Sequence, residues 1–227
     1  MLVTGFPADL TDTNCYVVAP GPGEQCVVID PGINVVDRLD DLLAEHRLHP
    51  VAVLLTHGHL DHTFSVLPVC DAREVPAYIH PADRAQLADP WSGIGLPRGA
   101  PIFGVGGLTF AEPADVRELA DGAVLPLAGL ELTVRHAPGH TPGSVAFSLD
   151  GPDAPLFFSG DLLFAGSIGR VDLPGGSEQA MMRSLARVVL PLPDPTEVLA
   201  GHGPGTTIGQ ERAGNPYLRL AAASSNG

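Results

Sequence analysis

The order of short apolar runs along this chain of 227 residues predicts an α/β (α+β) fold: two sheets packed together with helices on their outer faces. Strand-like runs come in two batches, each followed by a helix, a strand and another helix, so the two halves loosely repeat. Several apolar runs end at a glycine-bearing turn that holds a histidine or an aspartate. No linker or low-complexity tract interrupts the pattern, so residues 1–220 are expected to form one domain and 221–227 a flexible tail.

The elements follow in order. Residues 2–6, 14–20 and 25–30 read as strands bounded by turn signals such as Pro20-Gly21-Pro22-Gly23. Val36, Leu39, Leu42 and Leu43 recur at helical spacing between Val35 and about Arg47. A strand at 51–55 leads into a histidine cluster and a helix that takes Asp61 into its first turn, where a carboxylate is welcome. Tyr78-Ile79 is a short strand, and His80-Pro81-Ala82-Asp83 has the look of a helix start. Residues 123–136 and 144–149 hold two or three further strands, and Leu156-Phe157-Phe158-Ser159 another. Helices at 177–189 and 206–213 flank a strand at 196–200. The Gly/Pro-rich stretch Pro90–Pro113, with Trp91, Ile94, Phe103 and Phe110, is a long loop that reads as a lid over a site or as a surface excursion.

Composition narrows the function classes. A formal charge of −14, from 26 acidic residues against 12 basic ones that are all arginine, leaves no basic footprint for nucleic acid. No apolar run approaches the roughly 20 residues that span a bilayer, and Met1–Pro7 lacks the basic and apolar regions of a secretory signal. The expectation is a cytoplasmic protein, monomer or homodimer, with no membrane partner. Cys15, Cys26 and Cys70 form no CxxC pair and read as buried or incidental thiols.

The chemistry concentrates in Thr56-His57-Gly58-His59-Leu60-Asp61-His62. Imidazole and carboxylate together suit zinc and other divalent first-row ions. In extended backbone His57 and His59 point the same way and can chelate one ion, while Asp61 and His62 diverge toward a second ion or a water. Further donors come from turns. Pro138-Gly139-His140-Thr141-Pro142-Gly143 aims His140 in one direction; Gly160-Asp161 places a carboxylate after a buried run, where it must be paired or metal-bound and can bridge two ions. Gly201-His202-Gly203 repeats the device. His46, His49 and His80 read as solvated or structural, and His136 as lying off the site.

Taken together, the series Thr-His-x-His-x-Asp-His, Gly-His-Thr, Gly-Asp and Gly-His closely resembles the metallo-β-lactamase superfamily of binuclear hydrolases, across the span Asp30 to His202. The resemblance implies an αββα sandwich of two mixed sheets with the site at one edge. It implies one metal on His57, His59 and His140, the other on Asp61, His62 and His202, Asp161 bridging them, and Asp30 supporting a ligand from behind. The implied cofactors are two divalent ions: zinc, with iron or manganese as substitutes.

Within that superfamily the chain is similar to the glyoxalase II-like group, through the loop Phe164–Gly176. That similarity implies hydrolysis of a small thioester of the S-lactoylglutathione type by a metal-bridging hydroxide, with Asp61 orienting it. Arg170 would meet a substrate carboxylate or form a structural ion pair. The chain departs from full-length glyoxalase II: it has no lysine for glutathione contacts, and 25 residues follow His202 where that enzyme carries a helical domain. The alternatives are an iron persulfide dioxygenase using positions like His57, His140 and Asp161, and a phosphodiesterase. A β-lactamase is disfavoured on the expectation that such enzymes alter the Asp61-His62 region and carry cysteine at the bridging position.

Overall fold

The computed structural model describes residues 1–102 and 107–224. Among these residues the chain forms two six-stranded mixed sheets, each with its strands in chain order from edge to edge. The first contains β1 (Leu2–Pro7), β2 (Asn14–Ala19), β3 (Gln25–Ile29), β4 (His49–Leu54), β5 (Ala77–Ile79) and β6 (Val116–Glu118). β1 to β3 form an antiparallel meander, and β3 to β6 run parallel. Parallel neighbours need long crossovers, supplied by α1 (Val36–His46) and by α2 (Leu60–Thr63) with α3 (Val66–Arg73).

The second sheet contains β7 (Val124–Leu127), β8 (Leu130–His136), β9 (Val145–Leu149), β10 (Leu156–Gly160), β11 (Glu197–Ala200) and β12 (Thr206–Thr207). Here β7 to β10 are antiparallel, β11 joins β10 in parallel, and β12 closes the edge antiparallel. Helices cover both outer faces, giving the expected αββα sandwich. The two-residue alternation of strand side chains sorts them into layers. On β3, Cys26 and Val28 pack with Leu39 of α1 and Val69 of α3, while Val27 and Ile29 face the other sheet. On β10, Phe157 meets Met181 and Leu185, while Leu156 and Phe158 fill the space between the sheets. Strands buried on both faces read as unbroken apolar runs, which is why 51–55 and 156–158 look solid in sequence. Phe158 is 1% exposed, and truncation to alanine there costs about 3–5 kcal/mol.

Several elements differ from the sequence reading. The helix after the histidine cluster is split at Ser65, whose hydroxyl donates to Gly32 O at 2.6 Å. His80–Asp83 opens a single 3₁₀ turn (Arg84–Leu87) in place of an α-helix. The 177–189 helix is α5 (Glu178–Ser184), capped by Ser177, followed by one π turn (Leu185–Val189). β6, α4 (Pro90–Ile94) and α7 (Pro216–Ser224) were not anticipated. α7, preceded by α6 (Ile208–Gly214), corrects the expected tail: Leu218 and Ala221 are buried against Leu185 and its neighbours, and only 225–227 lie outside the described residues.

The 90–113 stretch is anchored by Trp91, which is buried with Leu60 and Ile102 and donates its Nε1–H to Ala100 O at 2.8 Å. Phe110 packs edge-on against Trp91 and Phe64. Phe103, also expected there, lies outside the described residues. Among the described residues, no helix is long and apolar enough to cross a membrane.

Candidate metal centre

The site collects at the carboxyl ends of two parallel strand pairs. Asp30 follows β3 and Thr56-His57 follows its neighbour β4; Asp161 follows β10 and His202 lies two residues beyond β11. His59 ends the loop into α2, Asp61 and His62 sit on α2, and His140 comes from the β8–β9 turn. Crevices outside strand carboxyl ends are where open α/β sheets place ligands.

Four histidines have one ring nitrogen anchored. Thr56 Oγ1 donates to Asp30 Oδ2 at 2.6 Å and so accepts from His57 Nδ1 at 3.1 Å. His62 Nδ1 donates to Asp30 Oδ2 at 2.9 Å, His140 Nδ1 to Arg170 O at 2.7 Å, and His202 Nδ1 to Thr11 O at 3.0 Å. In its neutral form each of the four then presents a bare Nε2. Asp30 reaches Thr56 and His62 from a left-handed backbone (φ 49°), a region that aspartate tolerates better than most residues.

The bare atoms converge. His140 Nε2 lies 3.2 Å from His57 Nε2 and 2.8 Å from His59 Nδ1. His62 Nε2 lies 3.3 Å from His202 Nε2 and 3.4 Å from Asp161 Oδ1, and His202 Nε2 is 3.2 Å from Asp61 Oδ2. Asp161 Oδ2 stands 3.4 Å from His140 Nε2 and 3.7 Å from His202 Nε2, between the two groups. Three overlapping sets could each hold an ion: His57, His59 and His140; His57, His62 and Asp161; Asp61, His62 and His202. Ring nitrogens and carboxylate oxygens facing one another at hydrogen-bond range, beside a buried Asp161 Oδ1 with no hydrogen-bond partner, fit cations of the nitrogen- and oxygen-binding kind.

The electrostatics agree. Burial and the neighbouring imidazoles hold His57 well below the usual histidine range; burial and His140 lower His59 to about 4. Both are neutral at pH 7, as a ligand must be. Burial opposes charge on His62, yet Asp61, Asp161 and Asp30 outweigh it and raise the ring well above its ordinary value. Burial likewise works against the Asp61 and Asp161 carboxylates, but His62 and the other rings hold both below the usual range. Positive charge is favoured at the end of the pocket that Asp61, Asp161 and Asp30 surround.

Glycine precedes four of the donors, His59, His140, Asp161 and His202, and at each of the four a Cβ would find no room. At Gly160 (φ 49°) a Cβ would stand 2.6 Å from Thr56 Cβ; at Gly201 it would overlap Asp161 Oδ1 and come within 2.9 Å of His62 Cε1.

All seven expected donors and Asp30 are brought together. The Arg170 guanidinium instead pairs with Asp172 at 2.7 Å on the surface, while its carbonyl holds His140. His136 stacks on His80 with ring centroids 4.1 Å apart and donates to Pro142 O, away from the cluster. The three cysteines are free and buried, and burial pushes the Cys26 and Cys70 thiols up to about 12.

Asp83 was missed by the sequence reading. Fully buried, it accepts from Gly58 N at 3.0 Å, Thr141 Oγ1 at 2.6 Å and Gly143 N at 2.8 Å, tying the His57–His59 loop to the His140 turn. Thr13 was missed too: its hydroxyl donates to Asp61 Oδ2 at 3.0 Å.

Fold and site define a class, a metallo-hydrolase fold carrying a His/Asp cluster positioned for metal. The profile of the metallo-beta-lactamase superfamily matches residues 8–202, and the chain belongs to that superfamily. It is similar to hydroxyacylglutathione hydrolase GloC of Haemophilus influenzae, 34% identical over 94% of this chain and 96% of that protein. Among solved structures it is similar to BLEG-1, described as a B3 metallo-beta-lactamase, at 39% identity with TM-score 0.84, covering 96% of this chain and 99% of that one. It is also similar to TTHA1623 in a di-iron-bound form, at 38% identity with TM-score 0.75, covering 95% and 100%.

Proposed function

We propose that this protein is a binuclear metal-dependent hydrolase that cleaves a small hydroxyacyl thioester. The observation that carries the two-ion reading is the position of Asp161 between two donor sets. His57, His59 and His140 would hold one ion and Asp61, His62 and His202 the other, with Asp161 shared. A single-iron dioxygenase would use His57, His140 and Asp161 and leave the Asp61, His62, His202 set without a purpose; a di-iron relative favours two ions. Divalent ions bound there supply a nucleophile made from water near neutral pH and Lewis-acid polarisation of an acyl oxygen.

The protein's residues do the rest. Asp30, Thr56, Thr11 and the Arg170 carbonyl fix the tautomers of four rings, so their bare nitrogens face the centre. Asp61, held by Thr13 and 24% exposed, is with His202 one of the donors that solvent reaches, and it can orient an attacking water. Phe164 stands edge-on to His202 and Trp91 backs Leu60, so apolar side chains flank the cluster.

The site carboxylates are held ionised and the facing ring nitrogens would be taken by metal, so no side-chain acid would be ready to protonate a poor leaving group. A thiol, with a pKa near about 8.5, departs as the anion without one. The name of the Haemophilus relative supports the same substrate class.

A second reading, opening of a β-lactam, is favoured by the similarity to BLEG-1. One zinc-loaded sample offered S-lactoylglutathione and a cephalosporin separates them. The thioester reading expects the larger kcat/KM on the thioester; a larger value on the cephalosporin overturns it.

A further inference from the structure

Of the five clustered histidines, His59 is the exception. The others send an N–H to a protein oxygen. His59 turns Nδ1 toward His140, so an ion held there would leave its proton on Nε2, and Nε2 is buried with no hydrogen-bond partner. A buried donor left unpaired costs about 1–3 kcal/mol, and ligating histidines ordinarily give their second N–H to an acceptor.

An acceptor is close by. Gln86, on the 3₁₀ turn Arg84–Leu87, has its Oε1 buried and equally without a partner. Both groups border Gly93 on α4: a Cβ there would overlap Gln86 Oε1 and lie 3.2 Å from His59 Cδ2, the carbon bonded to Nε2. The same amide backs Gly58, between the two ligand histidines, where a Cβ would stand 2.9 Å from Gln86 Cδ. Glycine at both positions admits the amide oxygen to the edge of the ring, and Asp83, on the residue just before the turn, fixes the turn to Gly58.

We infer that Gln86 is a positioning residue of the metal centre: its Oε1 accepts the Nε2–H of His59, directly or across one water, and fixes the tautomer that offers Nδ1 to an ion. The inference rests on the two-ion reading above. It assigns the 3₁₀ turn, which carries none of the metal donors, a part in holding the three-histidine end of the site.

The test pairs Gln86→Leu, which removes the acceptor, with Gln86→Glu, which keeps one. Zinc affinity is read by competition with a fluorescent chelator, and the proton position on His59 by ¹⁵N NMR of the histidine rings. Gln86→Leu should weaken one of the two zinc ions about 10- to 100-fold while the metal-free protein melts as the wild type does. Gln86→Glu should restore wild-type affinity. Equal affinity in the wild type and Gln86→Leu overturns the inference, as does a zinc-loaded wild-type His59 that keeps its proton on Nδ1, a result that needs no variant to fold. Absence of zinc binding by the wild type strikes the two-ion reading itself; weak binding confined to Gln86→Leu cannot be mistaken for that.

Discussion

Replacing Asp83 tests whether the metal site depends on a residue that touches none of the ions. Its carboxylate accepts from Gly58 N, Gly143 N and Thr141 Oγ1 and is fully buried. Asp83→Ala strands the two backbone donors, whereas Thr141 Oγ1 keeps Ser144 Oγ at 2.7 Å. Two orphaned buried N–H groups cost about 2–6 kcal/mol together, against a total stability of about 5–15 kcal/mol for such a domain. At roughly 2–4 °C per kcal/mol for a chain of this size, the midpoint of the metal-free protein should fall by about 4–24 °C. Asp83→Asn can turn its oxygen to Gly58 and Thr141 and sacrifice only the Gly143 bond, so its shift should be about half as large. Calorimetry gives the midpoints, and zinc competition should show weaker binding in parallel, because the clamp joins the loops carrying His59 and His140. An Asp83→Ala protein that melts with the wild type and binds zinc equally well would refute the reasoning.

Other outcomes follow from the same geometry. Asp161→Ala and His59→Ala should each lower turnover by at least about 100-fold with an unchanged far-ultraviolet circular dichroism spectrum; near-normal turnover would contradict their place at the site. Gly201→Ala forces a methyl group onto Asp161 Oδ1 and toward His62, so it should lower metal affinity while Gly214→Ala, where a Cβ meets nothing within 4 Å, should leave that affinity nearly unchanged. His62 is raised in the metal-free protein, with burial opposing and three aspartates prevailing, so its protonated form is favoured and competes with a metal for the ring. Zinc added to weakly buffered protein should therefore release protons, and apparent affinity should fall as pH drops from 7 toward 5.5; affinity rising with acidity would show the sign to be wrong.

Much of the site was legible because its donors obey local rules. His57, Asp161 and His202 each follow an apolar strand and a tight turn, a pattern visible in sequence, and the parallel pairing of β4 with β3 and of β11 with β10 brings those strand ends together. What stayed hidden was set by contacts distant in sequence. Asp83 looks like a helix start, but its partners lie 25, 58 and 60 residues away. β6 is a three-residue edge strand whose Arg117 and Glu118 carry no apolar signal. α7 has an Ala-rich sequence that reads as a tail, and it is helical where Leu218 and Ala221 find the apolar face of the π turn. Gln86 and His59 both border Gly93, a neighbourhood distant in sequence that no local pattern announces.

The central claim is that seven side chains hold two ions and that those ions drive hydrolysis. Its most direct test counts metal per chain in the same sample that is assayed on S-lactoylglutathione, before and after a chelator. The account predicts about two ions per chain and turnover that vanishes with chelator and returns with metal. Turnover that survives removal of all metal, or a single tightly held ion at full activity, would contradict it.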